Sequence, residues 1–143
     1  CSNNLAAAVA TQALLYELMT GDVQFRPLLQ NHLNWLFGLN PWGTSMITGI
    51  PANGEYPLDE HMPFWILNKQ VVPGSLVDGP LWSSIHDKML AIRLNEPDEF
   101  AHLQPNHIKY WDDFADYSTN EPTMDGSADL ILLLAHFAKP KIK

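Results

Sequence analysis

Between Asn40 and Pro80 the chain carries six prolines and five glycines and shows no sustained hydrophobic period. Proline removes a backbone donor and fixes φ, and glycine is entropically costly in any regular element, so a stretch this dense in both is not a long helix or a central strand. It reads as a long loop region. Connections of that length are uncommon in a compact domain, and when ordered they build binding or active sites. A second irregular stretch runs through Glu96-Pro97-Asp98-Glu99 to Tyr110 and on into the acidic segment Asp112 to Gly126.

Helical spacing flanks these loops. Asn3 or Asn4 can cap a helix over residues 4–20, on which Leu5, Ala8, Val9, Leu15, Leu18 and Met19 recur at helical intervals and Gly21 marks the end. Its alanines Ala6, Ala7, Ala10 and Ala13 would let a neighbouring helix approach closely. After Asp22 a second helix places Phe25, Leu29, Leu33, Leu36 and Phe37 on one stripe, with Gly38 near its end. Pro27 belongs in its first turn, so its regular part starts near Arg26. The short Thr20-Gly21-Asp22 turn then makes an antiparallel hairpin. A short helix is expected over Trp82–Met89, and a last one from about Met124 to Phe137 carries Ala128, Ile131, Leu132 and Ala135. The fold class is therefore all-α with long loops. So large a share of loop is unlike a self-contained bundle and points to part of something larger.

With 143 residues, 46% apolar and 17% charged, the chain can bury a core and is not disordered. A net charge of -8 leaves no basic stripe to displace phosphate counterions, which argues against nucleic acid. No apolar run is long enough to span a bilayer. The one cysteine, Cys1, excludes a disulfide framework within the chain. Cys1-Ser2-Asn3-Asn4 fits either the lipid-carrying end of a bacterial lipoprotein or the cut end of a longer chain. The helical pattern that starts at once favours the second.

The chemistry concentrates in residues 112–126. One carboxyl of such a cluster can be held protonated by like-charged neighbours and by desolvation, the state a general acid needs. Glu121 is the candidate. The plainer reading, a solvated acidic loop, would win without context. The tryptophans Trp42, Trp65, Trp82 and Trp111 lie in or beside the loops, where aromatic faces suit pyranose rings and nearby Asp, Asn and His suit hydroxyls. For any one of them, membership of a satellite core is the better account; together they favour a carbohydrate groove modestly.

Other chemistries fit poorly. The six histidines show no ligand spacing, and Asp59-Glu60-His61 is too local to hold zinc alone. An EF-hand frame from Asp116 fails because Glu121 stands where glycine is needed and Ser127 where glutamate is needed. There is no GxSxG elbow, GxGxxG turn or phosphate loop, and no cofactor is implied. Carboxylate chemistry remains.

Four blocks in order resemble the C-terminal part of glycoside hydrolase family 9, the family of cellulases and related exo-acting glucosidases and glucosaminidases. They are Asn4-Leu5-Ala6-Ala7-Ala8 through Asp22; Leu36-Phe37-Gly38-Leu39-Asn40-Pro41 with Ser45-Met46-Ile47-Thr48-Gly49; Pro73-Gly74-Ser75-Leu76-Val77-Asp78-Gly79-Pro80; and Asp116-Tyr117-Ser118-Thr119-Asn120-Glu121. The resemblance runs the length of the chain.

It implies part of an (α/α)6 barrel, residues 1–143 being the C-terminal portion of a catalytic domain that cleaves β-glycosidic bonds of a cellulose-type glycan with inversion. Glu121 would be the general acid. His61, Asp116, Tyr117, Trp42 and Asn120 would face or support the sugar, with no metal. The aspartates that hold the attacking water lie in the N-terminal part of such domains and have no counterpart here. The partners are then a carbohydrate and the N-terminal remainder of the same domain, and the isolated chain would be inactive. The location would be secreted, periplasmic or surface-associated in a bacterium. Pro63 and Phe114 stand where the family commonly has arginine, which puts a cellulase-type subsite in doubt. A helix start just beyond Glu121 would lower its pKa, so crowding by Asp112, Asp113 and Asp125 would have to outweigh that effect. The alternative is a non-catalytic carbohydrate-binding helical protein derived from such an enzyme.

Overall fold

The computed structural model describes residues 2–138, so both readings of Cys1 lie outside the described residues. Five helices and one short antiparallel ribbon are formed among them: α1 Ser2–Thr20, α2 Arg26–Leu36, α3 Met62–Asn68, β1 Leu81–Trp82, α4 Ser83–His86, β2 Ile108–Lys109 and α5 Met124–Phe137. The fold is helix-rich with little sheet, and α1 is the central member, packed against α2 and α5.

The small-residue face of α1 makes that packing close. Ala7, Ala10, Ala13 and Leu14 are buried against Leu29, Leu33 and Leu36 of α2 and against Leu130 and Leu133 of α5. The bulky stripe expected inside is instead largely exposed: Leu5 is 70% and Met19 84% accessible. The same inversion occurs on α5, where Ile131 is 69% exposed while Leu130 and Leu133 are fully covered. Both helices are apolar nearly all round, so several stripes satisfy the 3.6-residue period and tertiary contact selects among them. Asn3 corrects a further expectation. It lies inside α1 rather than capping it, and its buried side chain is used for tertiary bonds.

The Pro- and Gly-rich stretch is ordered by specific bonds. Asn40 ties its own turn together, donating to the carbonyls of Trp35 and Thr44 at 3.0 and 2.8 Å and accepting from the Trp42 and Gly43 amides. Met46 donates its amide to Leu36 and accepts from Val77, and single antiparallel bridges join Ile47 to Leu76 and Val77 to Pro122. The chain from Met46 to Ile47 and from Leu76 to Val77 is thus buried core. The loop expected throughout residues 40–80 is interrupted by α3, with Pro63 in its first turn, where a missing N–H costs nothing. The helix expected over Trp82–Met89 shrinks to α4. Trp82 is taken into the ribbon with Ile108, and the chain after His86 closes with three-residue turns at Lys88 and Met89.

Candidate active-site cleft

The acidic segment folds around Asp116. This residue is fully buried, and its Oδ1 accepts from the Ser118 amide at 2.8 Å, the Ser118 hydroxyl at 2.6 Å and the Thr119 amide at 3.1 Å. Its Oδ2 accepts from the Thr119 hydroxyl and from His86 Nε2, both at 2.9 Å. An aspartate closing a turn on its own following amides is a strong local preference, and here it fixes the backbone that delivers Asn120 and Glu121. His86 is itself buried and meets the Trp111 ring edge-on at 4.4 Å between centroids. Nothing in its sequence context marks it out, and only the fold brings it to Asp116.

Three connections then pin Glu121 from behind. The Asp78 amide donates to its carbonyl at 3.1 Å, Pro122 bridges to Val77, and the Gly79 amide donates to Thr119 at 2.8 Å. The strut beneath them is Asn3. It donates its backbone N–H to Asp78 and its side chain to the Val77 carbonyl, and accepts from Trp35 Nε1 at 3.1 Å. Gly79 sits at φ 82, and a Cβ there would lie 2.3 Å from the Asn3 carboxamide. Glycine is required both for the turn and for this close approach.

Glu121 stands at a cleft of about 140 Å³ lined also by Glu60, His61, Pro63, Asp113, Phe114, Asp116, Tyr117 and Asn120. The glutamate is exposed and lies three residues ahead of α5. His61 is half-buried, with Nε2 3.2 Å from the Ser75 hydroxyl. Burial pushes its imidazole below the usual range, partly opposed by the charge of Glu121. Tyr117 is largely exposed and donates to the Leu90 carbonyl at 3.0 Å. Asn120 is 1% exposed, and its carboxamide is engaged by Asp59, Asp112 and Tyr110. Five of the expected site residues, His61, Asp116, Tyr117, Asn120 and Glu121, therefore converge on one cleft.

Trp42 does not. It is 3% exposed, packed edge-on between Trp35 and Tyr110, and spends its indole N–H on Gln104 at 3.0 Å. Its place is the core, so the sugar-facing reading of Trp42 gives way to a packing role. The three carboxylates expected to crowd Glu121 are also engaged elsewhere. Asp112 turns toward Asp59, Asp113 accepts from the amides of Asn95, Glu96 and Ala115, and Asp125 accepts from Asn4 at 2.6 Å.

The carboxyl that the cleft does perturb is Glu60. It is 4% exposed, Oε1 accepts the Val72 amide at 3.2 Å, and Oε2 is buried without a partner among the described residues. Burial, reinforced by the charge of Asp59, raises it to about 7. Asp59-Glu60-His61 was visible in the sequence as a run of polar residues. Its separation into a buried pair member, a cleft carboxyl and a cleft imidazole was not. Among the described residues no group of three or more His, Cys, Asp or Glu side chains is arranged to hold a metal ion. No helix among the described residues is long and apolar enough to cross a membrane.

The sequence model of the family described as Glycosyl hydrolase family 9 matches residues 1–134, nearly the whole chain. Comparison with curated proteins and with solved structures gives no match.

Proposed function

Given that this chain belongs to glycosyl hydrolase family 9, we propose that it supplies the general-acid side of a β-glycoside-hydrolysing site, with Glu121 as the proton donor to the departing oxygen. The observation that carries this reading is the convergence of Glu121 with His61, Tyr117 and Asn120 at one cleft, above the bonded turn of Asp116. Asp116 acts through the backbone, holding the turn, while His61 and Tyr117 present polar and aromatic edges to a sugar. In an inverting reaction the opposing carboxylate stands roughly 6.5–9.5 Å away and activates a water on the other face of the ring. That base is assigned to an N-terminal remainder of the same catalytic domain.

The exposed apolar faces of α1 and α5 support this incompleteness. Leu5, Leu18 and Met19 on one and Ile131 and Phe137 on the other form bulky surfaces of the kind a larger helical domain covers. Closure of an (α/α)6 barrel over them would also shield the cleft from bulk water. The substrate class is a β-linked glucan or a related oligosaccharide, and the protein is placed outside the cytoplasm, where such polymers occur. Alone, residues 1–143 are expected to be inactive.

The test is Glu121→Gln in the full-length protein. Hydrolysis of unactivated β-glucans should fall by roughly 10²–10⁴-fold, while substrates with good leaving groups, which need no proton, should be spared. An unchanged rate on both removes Glu121 from the acid role.

A further inference from the structure

Behind the cleft, Asn120 is held by a pair of carboxyls that take no part in the reaction just described. Its single side-chain nitrogen donates to Asp59 Oδ1 at 3.0 Å and to Asp112 Oδ1 at 3.1 Å, and its oxygen lies 3.3 Å from the donating Tyr110 hydroxyl. Asp59, Asn120 and Tyr110 are all buried. Both carboxyls thus converge on one amide nitrogen, and burial raises each above the usual carboxylate range. Two carboxyls held at one site favour sharing a proton, because like charges repel and an ionised carboxyl accepts and never donates. Asp112 is the proton-bearing partner: burial and the neighbouring Asp59 charge hold it well above the usual carboxylate range.

We propose that the Asp59–Asp112 carboxyl pair, acting through Asn120, is the device that positions Glu121. The inference rests on the reading of Glu121 as the acid. The amide bond between Asn120 and Glu121 makes any displacement of the clamped carboxamide a displacement of the glutamate, and misplacing a reacting group by about 1 Å can cost on the order of 10²-fold in rate. The pair spans the two irregular regions of the chain, since Asp59 precedes α3 and Asp112 belongs to the acidic segment. Their common hold on Asn120 therefore fastens the segment ahead of α3 to the acidic segment.

The surroundings make the proton decisive. Asp112 Oδ2 accepts the Leu58 amide at 3.1 Å and Asp59 accepts the Phe114 amide, and among the described residues Asn120 is the remaining donor to the pair. The remaining titratable groups facing it are Glu60, Glu99, Asp113 and the Tyr110 phenol, with no lysine or arginine among them. Removal of the shared proton would set a buried and a half-buried like charge side by side, with no cation among the described residues in ion-pair contact with either. The pair would separate, and the clamp on Asn120 would open.

The test uses the full-length protein and two variants. Asp112→Ala removes the clamp and should lower kcat on the order of 10²-fold with little change in KM, while amide protection at residues 118–121 falls. Asp112→Asn keeps a neutral donor beside Asp59 at every pH; it should retain kcat within about tenfold of the parent. In the unsubstituted protein the protection of residues 118–121 should drop as pH rises through deprotonation of the pair, and in Asp112→Asn it should stay level. Unchanged kcat and protection in Asp112→Ala, or equal damage in both variants, overturns the proposal. The exchange readout needs no substrate, so a protein that hydrolyses no glycan yet shows this exchange pattern refutes the acid role of Glu121 and leaves the clamp standing.

Discussion

Replacing Glu60 by Gln should make the protein more stable above neutral pH and leave it unchanged in acid. The magnitude follows from the buried carboxyl. In the unfolded chain Glu60 ionises near its ordinary value of 4.5, and in the folded protein burial raises this to about 7. Between those values the folded state keeps a proton that the unfolded state has lost, so this contribution to stability falls as pH rises through the window and is fully lost above 7. The interval from 4.5 to about 7, at 1.36 kcal/mol for each tenfold change in proton affinity, sets an upper limit of roughly 3 kcal/mol. Relaxation of the surrounding chain around the ionised carboxyl reduces the expected difference to about 1–2 kcal/mol. Glutamine keeps the bond from the Val72 amide and cannot ionise, so the variant lacks this slope. Urea unfolding at pH 4 and pH 8 checks the expectation: midpoints should coincide at the lower pH, and the variant should gain roughly 0.5–1 M at the higher one. Parallel stability curves across the whole range would show that Glu60 ionises as freely in the fold as outside it, and the argument from burial would fail.

Two further outcomes follow from the scaffold behind the cleft. Gly79→Ala should destabilise by about 2–4 kcal/mol in the same urea measurement, because a Cβ at φ 82 is strained and meets the Asn3 carboxamide at 2.3 Å. His86→Ala strips one donor from the buried Asp116 carboxylate and should cost about 2–4 kcal/mol, with faster amide exchange at Ser118 and Thr119; unaltered exchange there would show that the turn holds without it.

Much of the secondary structure was legible because its signals are local. The approach of α1 to Thr20, the start of α2 around Arg26 with Pro27 in its first turn, and α5 over Met124–Phe137 all follow from periodicity, proline placement and terminal residues. The Asp116 turn is local too, since its acceptors are filled by Ser118 and Thr119 next door. The short helix α3 was hidden because Pro63 and the surrounding prolines resemble loop punctuation, although a proline in a first turn is compatible with helix.

The order of residues by itself determined the helical segments, the acidic turn and the family, because each of these is written in neighbouring positions or in blocks along the chain. Only the tertiary structure decided which faces of α1 and α5 are inside, since both helices are apolar on more than one side and packing alone breaks the tie. It also decided that Trp42 is core, that Glu60 is the perturbed carboxyl of the cleft, and that Asp59 meets Asp112. Burial and the convergence of these two carboxyls on Asn120 depend on which distant segments come together. No local pattern encodes the desolvation they produce.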